Sequence, residues 1–294
     1  MAVITTGFFD GVHLGHRHLL ETVVSSARER GEEAVVVTFW PHPRTVLQQD
    51  ARDLRLLSSL EEKKALLLEA GIDRVEVLPF TRAFASMTAR EYLQMLRERF
   101  GATLVVMGYD NRIGSDRRTA KELTECVIAD EYVMAGSDRP SVSSTQIRNA
   151  LKAGDIDTAN AMLGYRYGLH GVVVAGNRLG RTIGFPTANM KLYEPLKLVP
   201  AGGVYAVDVQ VLGRNLKGMC NIGVRPTVGA TNGLTIETNI FDFDEDIYGL
   251  DITISFSKRI REERKFASLE DLKAQLLRDK QTAALLPIIL AVSG

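Results

Sequence analysis

From residue 2 to about residue 164, short apolar runs alternate with stretches in which apolar residues recur every three or four positions. AVITTGFF, AVVVTFW, RVEVLPF, TLVVMGY and EYVMAG read as buried strands. Between the first two, HRHLLETVVSSARERG sets Leu19, Leu20, Val23, Val24 and Ala27 on one helical face, with Gly31 as the stop. SLEEKKALLLEAG and TAREYLQMLRERFG each open on a capping box, Ser59 with Glu62 and Thr88 with Glu91. In each box a hydroxyl and a carboxylate satisfy free N–H groups of the first turn. This alternation predicts an α/β fold: a doubly wound parallel sheet covered on both faces, with ligands at the carboxyl ends of its strands.

After Leu163–Leu169 the rhythm changes. HGVVVAG, VYAVDVQVL, LKGMCNIGV, TIETNIFDF and LDITISFSKRI follow one another without intervening helices, and SLEDLKAQLLRDKQTAALL, opened by Ser268, closes the pattern with a helical period. Such a series predicts a β-barrel of about 125 residues with a terminal helix. The expected division is therefore 1–164 and 165–294, with the boundary near Gly164.

Composition changes this picture little. The 294 residues include 36 basic and 36 acidic side chains and are 45% hydrophobic, as in an ordinary globular chain. A net charge of zero gives no electrostatic case for nucleic acid or a membrane surface as partner. Cys126 and Cys220 lie far apart in no metal-binding spacing, which points to free thiols in a reducing compartment. No apolar run approaches a membrane span, and MAVITTGFFD has neither the basic region nor the long apolar core of a signal peptide. The expected location is the cytoplasm. Oligomeric state is not readable from the sequence.

Candidate chemistry in the first half sits at strand ends. In GFFDGVHLGH, Gly7 and Gly11 permit a tight turn after the first strand, and the following helix aims free N–H groups at that turn. His13 and His16 add cationic or hydrogen-bond-donating imidazoles, which suits a polyphosphate. A solvated helix start is the commoner outcome for an arbitrary His pair, and zinc lacks completing Cys, Asp or Glu ligands nearby. SSTQIR, Ser143–Arg148, opens another helix with three hydroxyls and an arginine, either as a second phosphate-binding end or as plain N-capping.

GFFDGVHLGH and SSTQIR resemble the paired signatures of the HxGH nucleotidyltransferases. TFWPHPRTVL and GYDNRIG resemble further signatures of one branch, the adenylyltransferase half of the bacterial bifunctional riboflavin kinase/FMN adenylyltransferases. The resemblance implies ATP binding by Gly7, Phe8, Phe9, Asp10, Gly11, His13, His16, Ser143, Ser144, Thr145 and Arg148. It implies flavin binding by Pro41, His42, Pro43, Asp110, Asn111 and Arg112. His13 and His16 are then catalytic as electrostatic stabilisers, because an FMN phosphate is already anionic near neutral pH and needs positioning more than a base. This chain departs from the family in three places. Trp40 stands where an acidic residue is usual, Asn111 stands where an aromatic is usual, and the segment between Gly114 and Ser143 is several residues shorter.

In the second half, GNRLGRTIGFPTAN spaces Gly176, Gly180 and Gly184 around Arg178 and Arg181. It is no P-loop, since no GKS or GKT follows. A glycine loop of this kind folds over phosphates or is a plain hairpin turn. Thr187 and Asn189, two apart, share one side of an extended chain and offer oxygen ligands for Mg²⁺, or serve as turn formers. RTIGFPTAN, GGVYAV, NIGVRPTVG, IETNIFDFDEDIYG and IREERKF resemble the riboflavin kinase signatures in the same order. That resemblance implies a six-stranded barrel. It also implies ATP binding by Gly176, Gly180, Arg181, Gly184, Pro186, Thr187 and Asn189, with Mg²⁺ on the last two. It makes Glu237 the catalytic base, a role a neutral alcohol nucleophile requires, and places Glu237 and Arg261 near the flavin. The acidic run Asp242–Asp246 lacks the spacing of a calcium loop and reads as a polar hairpin.

The resemblance spans residue 4 to about 280. It implies a two-step enzyme that phosphorylates riboflavin to FMN with MgATP and adenylates FMN to FAD with release of pyrophosphate. The alternatives are a chain in which only the kinase half works fully, and a flavin- or nucleotide-binding regulator without turnover.

Overall fold

A computed structural model of the chain describes residues 1–47, 53–108, 111–123, 134–135, 142–176, 179–225 and 233–288. Asp110, Cys126, Arg178 and the outer residues of the strand expected over 131–136 lie outside these. The chain divides into two compact units, Met1–Ser144 and Thr145–Val292.

The first unit runs β1 (Ala2–Thr6), α1 (Leu14–Arg30), β2 (Glu33–Trp40), α2 (Pro43–Leu47), α3 (Leu60–Glu69), β3 (Arg74–Pro79), α4 (Arg82–Ala85), α5 (Ala89–Phe100) and β4 (Ala102–Gly108). A two-residue-per-strand ribbon follows, β5 (Arg112–Ile113) and β6 (Arg118–Thr119), and then β7 (Met134–Ala135). The sheet order is β3-β2-β1-β4-β7, with every neighbouring pair parallel. Strands buried on both faces read as continuous apolar runs, and Val35, Val36 and Val37 follow that rule. Leu19, Leu20, Val23 and Ala27 of α1 are buried, and Gly31 ends the helix in the left-handed region, returning its N–H to Ala27 and Arg28. Tyr92, Leu93, Leu96 and Phe100 of α5 join Ile4, Val35, Val37, Val105 and Met107 in one core. Both predicted capping boxes form. Chain order runs outward in both directions from β1, so the crevice at a doubly wound sheet's switch point opens at the end of β1.

The second unit contains α6 (Ser144–Ala153, its first residue shared with the first unit), α7 (Ile156–Leu163), β8 (Gly168–Val174), α8 (Leu179–Thr182), β9 (Ala188–Leu192), β10 (Gly203–Val211), β11 (Arg214–Arg225), β12 (Gly233–Ile240), β13 (Asp251–Arg261) and α9 (Leu269–Ala284). Six antiparallel strands close in the order β10-β11-β12-β9-β8-β13. Closure removes the unpaired edges an open sheet would carry. β9 is the strand the apolar pattern does not announce, because its five residues, ANMKL, bury fully only Met190. The acidic run Asp242–Asp246 is not a hairpin, as its flanking strands β12 and β13 are separated in the barrel by β9 and β8. Cys220 is a free, buried thiol whose pKa burial pushes up to about 12, so it is inert.

Leu96 is 0% exposed at the centre of the α5 core. Leu96→Ala is expected to destabilise the first unit by about 2–5 kcal/mol, read as an earlier denaturant transition. An unchanged transition would show that this helix face is not what holds the sheet.

Candidate active sites

The turn after β1 is held in an unfavourable shape. Phe9 (φ 53°) and Val12 (φ 37°) occupy the left-handed region without being glycine. The Asp10 carboxylate restrains them, accepting the backbone N–H of Leu57 at 2.9 Å and of Ser58 at 3.2 Å, while the Ser58 hydroxyl accepts the Gly11 N–H at 3.1 Å. The turn delivers His13 as the N-cap of α1, where its Nδ1 accepts the His16 N–H at 3.3 Å. A ring nitrogen that accepts carries no proton, so His13 is neutral and presents an N–H at Nε2. The rings of His13 and His16 stack with centroids 3.6 Å apart. Burial, then His13, then Lys63, push the His16 pKa well below its ordinary value. In this geometry the two imidazoles offer N–H donors, and burial disfavours a charge on His16.

Ser144 brings the start of α6 to this turn, its hydroxyl donating to the Asp10 carbonyl at 3.0 Å. Gly15 permits this approach, since a Cβ there would meet the Val142 carbonyl at 3.1 Å and the His13 ring at 3.2 Å. The division between the units falls inside SSTQIR, so Thr145 and Arg148 count with the second.

Beside the turn, a cavity of about 320 Å³ is lined by Thr6 and Gly7, by Phe39, Phe80, Phe84 and Tyr92, and by Asn111, Arg112, Ile113 and Gly114. The aromatic rings pack edge to face or tilted, with the Phe39 and Phe84 centroids 5.3 Å apart. The Tyr92 hydroxyl shares a 2.6 Å hydrogen bond with Thr6. Phe39 and Trp40 are adjacent on β2 and so face opposite ways. Phe39 enters the cavity, whereas Trp40 stacks on Phe8 at 6.4 Å. Of the two departures near the expected flavin segments, only Asn111 lines the cavity. Pro41, His42 and Pro43 do not, and the His42 ring lies 4.2 Å from that of Phe8. The sequence reading passes over Phe39, Phe84 and Tyr92 because all three also fit a plain core pattern.

Lys63 is the other group the sequence hides, inside the helical run LEEKK. It is 1% exposed, and its Nζ donates to the Phe8 carbonyl at 3.0 Å and sits 3.8 Å from the Phe8 ring centroid. Burial lowers its pKa to about 8 against the opposing pull of Asp10.

In the second unit, β9 lies against β12 with Asn189 directly opposite Glu237, and the Thr187 hydroxyl donates to the Glu237 carboxylate at 3.4 Å. Glu237 is half-buried, while its strand neighbours Ile236 and Thr238 are buried. Asn239, two residues on, donates to the Pro186 carbonyl at 2.7 Å and fixes the stretch before Thr187. Gly176 leaves room for the Asn189 amide, which a Cβ would meet at 2.1 Å. Gly180 leaves room for the Phe185 carbonyl, and its own carbonyl accepts the Phe185 N–H at 2.8 Å, folding the glycine loop back on itself. Gly184 turns the chain in the left-handed region with Arg181 exposed. Among the described residues no three His, Cys, Asp or Glu side chains converge as a metal cage. The oxygens of Thr187 and Asn189 beside Glu237 are hard donors of the type Mg²⁺ takes together with phosphate. The Arg261 Nε donates to Asp279 at 2.9 Å, and Asp279 is 1% exposed on α9.

Two family models match the chain, FAD synthetase over residues 1–145 and riboflavin kinase over residues 163–286. The bifunctional riboflavin kinase/FMN adenylyltransferase of Bacillus subtilis is 37% identical over 292 residues, covering 96% of this chain and 91% of that protein. Its Escherichia coli K12 counterpart is 38% identical over 291 residues with the same coverage. A crystal structure described as a macrolide-efflux protein from Streptococcus pneumoniae superposes with a TM-score of 0.89 at 33% identity, covering 97% of this chain and 95% of that one. Among the described residues of this chain, no helix is long and apolar enough to cross a membrane. With both halves matched in order and the relatives aligned over nearly their whole length, the chain belongs to the bifunctional riboflavin kinase/FMN adenylyltransferase family.

Proposed function

We propose that the chain makes FAD in two steps, phosphorylating riboflavin to FMN in its second unit and adenylating FMN in its first. The reading rests on one observation: the turn after β1 gathers phosphate-binding donors in the first unit, and Thr187, Asn189 and Glu237 meet in the second.

In the kinase step the primary alcohol of riboflavin attacks the terminal phosphorus of ATP, the bond to the bridging oxygen breaks, and ADP leaves. The alcohol proton passes to Glu237, which the Thr187 hydroxyl holds opposite Asn189. Mg²⁺ on the Thr187 and Asn189 oxygens would supply charge neutralisation for the phosphates when bound. Gly176, Gly180, Arg181, Gly184 and Pro186 shape the loop that encloses the nucleotide.

In the adenylyl step a phosphate oxygen of FMN attacks the α-phosphorus of ATP, and pyrophosphate leaves. No base is needed, so the residues position and stabilise. His13 donates from Nε2 and His16 from its ring, in the turn formed by Gly7, Phe8, Phe9, Asp10 and Gly11. Ser143 and Ser144, of the same unit, add hydroxyls to the phosphate site. The aromatic cavity between Phe39, Tyr92 and Asn111 takes the flavin ring, a flat apolar body with polar edges. The functional division is assigned at Gly164, where the helices give way to the barrel strands, leaving 1–164 for adenylyl transfer and 165–294 for phosphorylation. The two widely separated cysteines support a reducing, cytoplasmic setting. Both reactions use small molecules alone.

The test is to supply riboflavin or FMN with MgATP and separate riboflavin, FMN and FAD by chromatography. Glu237→Ala is expected to lower FMN formation by about 10²–10⁴-fold and leave FAD formation from supplied FMN intact. His16→Ala should cost FAD formation about 10²–10³-fold with FMN formation unchanged. A folded variant that lost both activities would defeat this division of labour.

A further inference from the structure

Lys63 takes no direct part in either reaction, yet it lies against the turn that carries His13 and His16. It is the fourth residue of α3, and its side chain runs inward rather than out to water, ending 3.0 Å from the Phe8 carbonyl and 5.6 Å from the Trp40 ring centroid. The same carbonyl accepts the Thr38 hydroxyl at 3.2 Å. Burying an ammonium is costly, and an apolar side chain of equal length would fill this space at lower cost. An ammonium retained there therefore has a use for its charge or its hydrogen bond. The carbonyl it holds directly precedes Phe9, the first of the two left-handed residues that shape the turn. Asp10 secures the turn on one side through Leu57 and Ser58, and Lys63 secures the other.

We propose that Lys63 is a positioning residue for adenylyl transfer: its ammonium anchors the Phe8 carbonyl, so fixing the turn that carries His13 and His16, and sets a positive charge beneath the two imidazoles. This rests on the reading of His13 and His16 as the ATP phosphate site. Lys63 is the buried cation of the turn, and a polyphosphate held by the imidazoles feels its field at low dielectric. The titratable groups facing it are Asp10 from the turn and His16 from α1, with His42 on the Phe8 ring.

FAD formation from FMN and MgATP is measured on the full chain from about pH 6 to 9.5 for wild type, K63M, K63R and H16A, with riboflavin phosphorylation followed in parallel. Methionine keeps the length and the ring contacts but drops the ammonium. K63M is expected to lose about 10- to 100-fold in kcat/KM for ATP, mostly in kcat, with kinase turnover unchanged. Wild-type kcat/KM, which reports groups of the free enzyme, should fall above about pH 8 as Lys63 deprotonates. K63M should lack that limb, and K63R, whose charge persists, should stay flat through it. K63M within twofold of wild type, or a limb near pH 8 surviving in K63M, would overturn the proposal. If K63M does not fold, the wild-type profile decides alone, since a flat profile to pH 9.5 is equally fatal. A fully active H16A would instead overturn the phosphate-site reading, whereas inactive H16A with unimpaired K63M would sink only the role of Lys63.

Discussion

The Asp10 carboxylate is 4% exposed, and its hydrogen bonds to the backbone of Leu57 and Ser58 underlie every other feature of the first site. A carboxylate out of water is tolerable only when its lone pairs are filled, and buried backbone N–H groups are tolerable only when paired. Each need answers the other here. The outcome is that a turn with two left-handed non-glycine residues persists, and His13 falls at the N-cap of α1 instead of on its exposed flank. Local strain of this kind survives only where surrounding structure over-determines it. The segment from Leu57 to Lys63 is that surrounding structure, reached across some fifty residues of chain.

The second site rests on register. Glu237 lies opposite Asn189 because β9 fills the gap between β8 and β12 and closes the barrel. A slip of one residue would exchange the faces of Glu237 and Ile236. Closure makes such a slip costly, because every strand is paired on both sides and none can shift alone. The two units thus manage charge in opposite ways. One surrounds imidazoles with a buried ammonium and an engaged carboxylate, and the other leaves a half-buried carboxylate beside a hydroxyl and an amide.

Much of this was legible in the chain. The capping boxes at Ser59 and Thr88, the stop at Gly31 and the N-cap at Ser268 form as read, because each depends only on residues within one helical turn. The doubly wound sheet and the barrel follow from the alternation of apolar periods. A short, mostly polar strand such as β9 leaves no periodic signal, and a local pattern such as the acidic run after β12 does not distinguish a hairpin from a crossover. Phe39, Tyr92 and Lys63 look like ordinary core, strand-end and helix-surface residues until the sheet places them.

By itself, then, the sequence determined the elements, the two architectures and the signature residues, since these are properties of neighbours along the chain. Only the tertiary structure decided the stacking of His13 on His16, the burial of Lys63, the turning of Trp40 away from the cavity and the meeting of Thr187 with Glu237. Those depend on desolvation and on contacts between residues up to fifty or more positions apart. Such contacts exist only once the backbone has closed around them, because the field and the solvent at a side chain are set by everything folded against it.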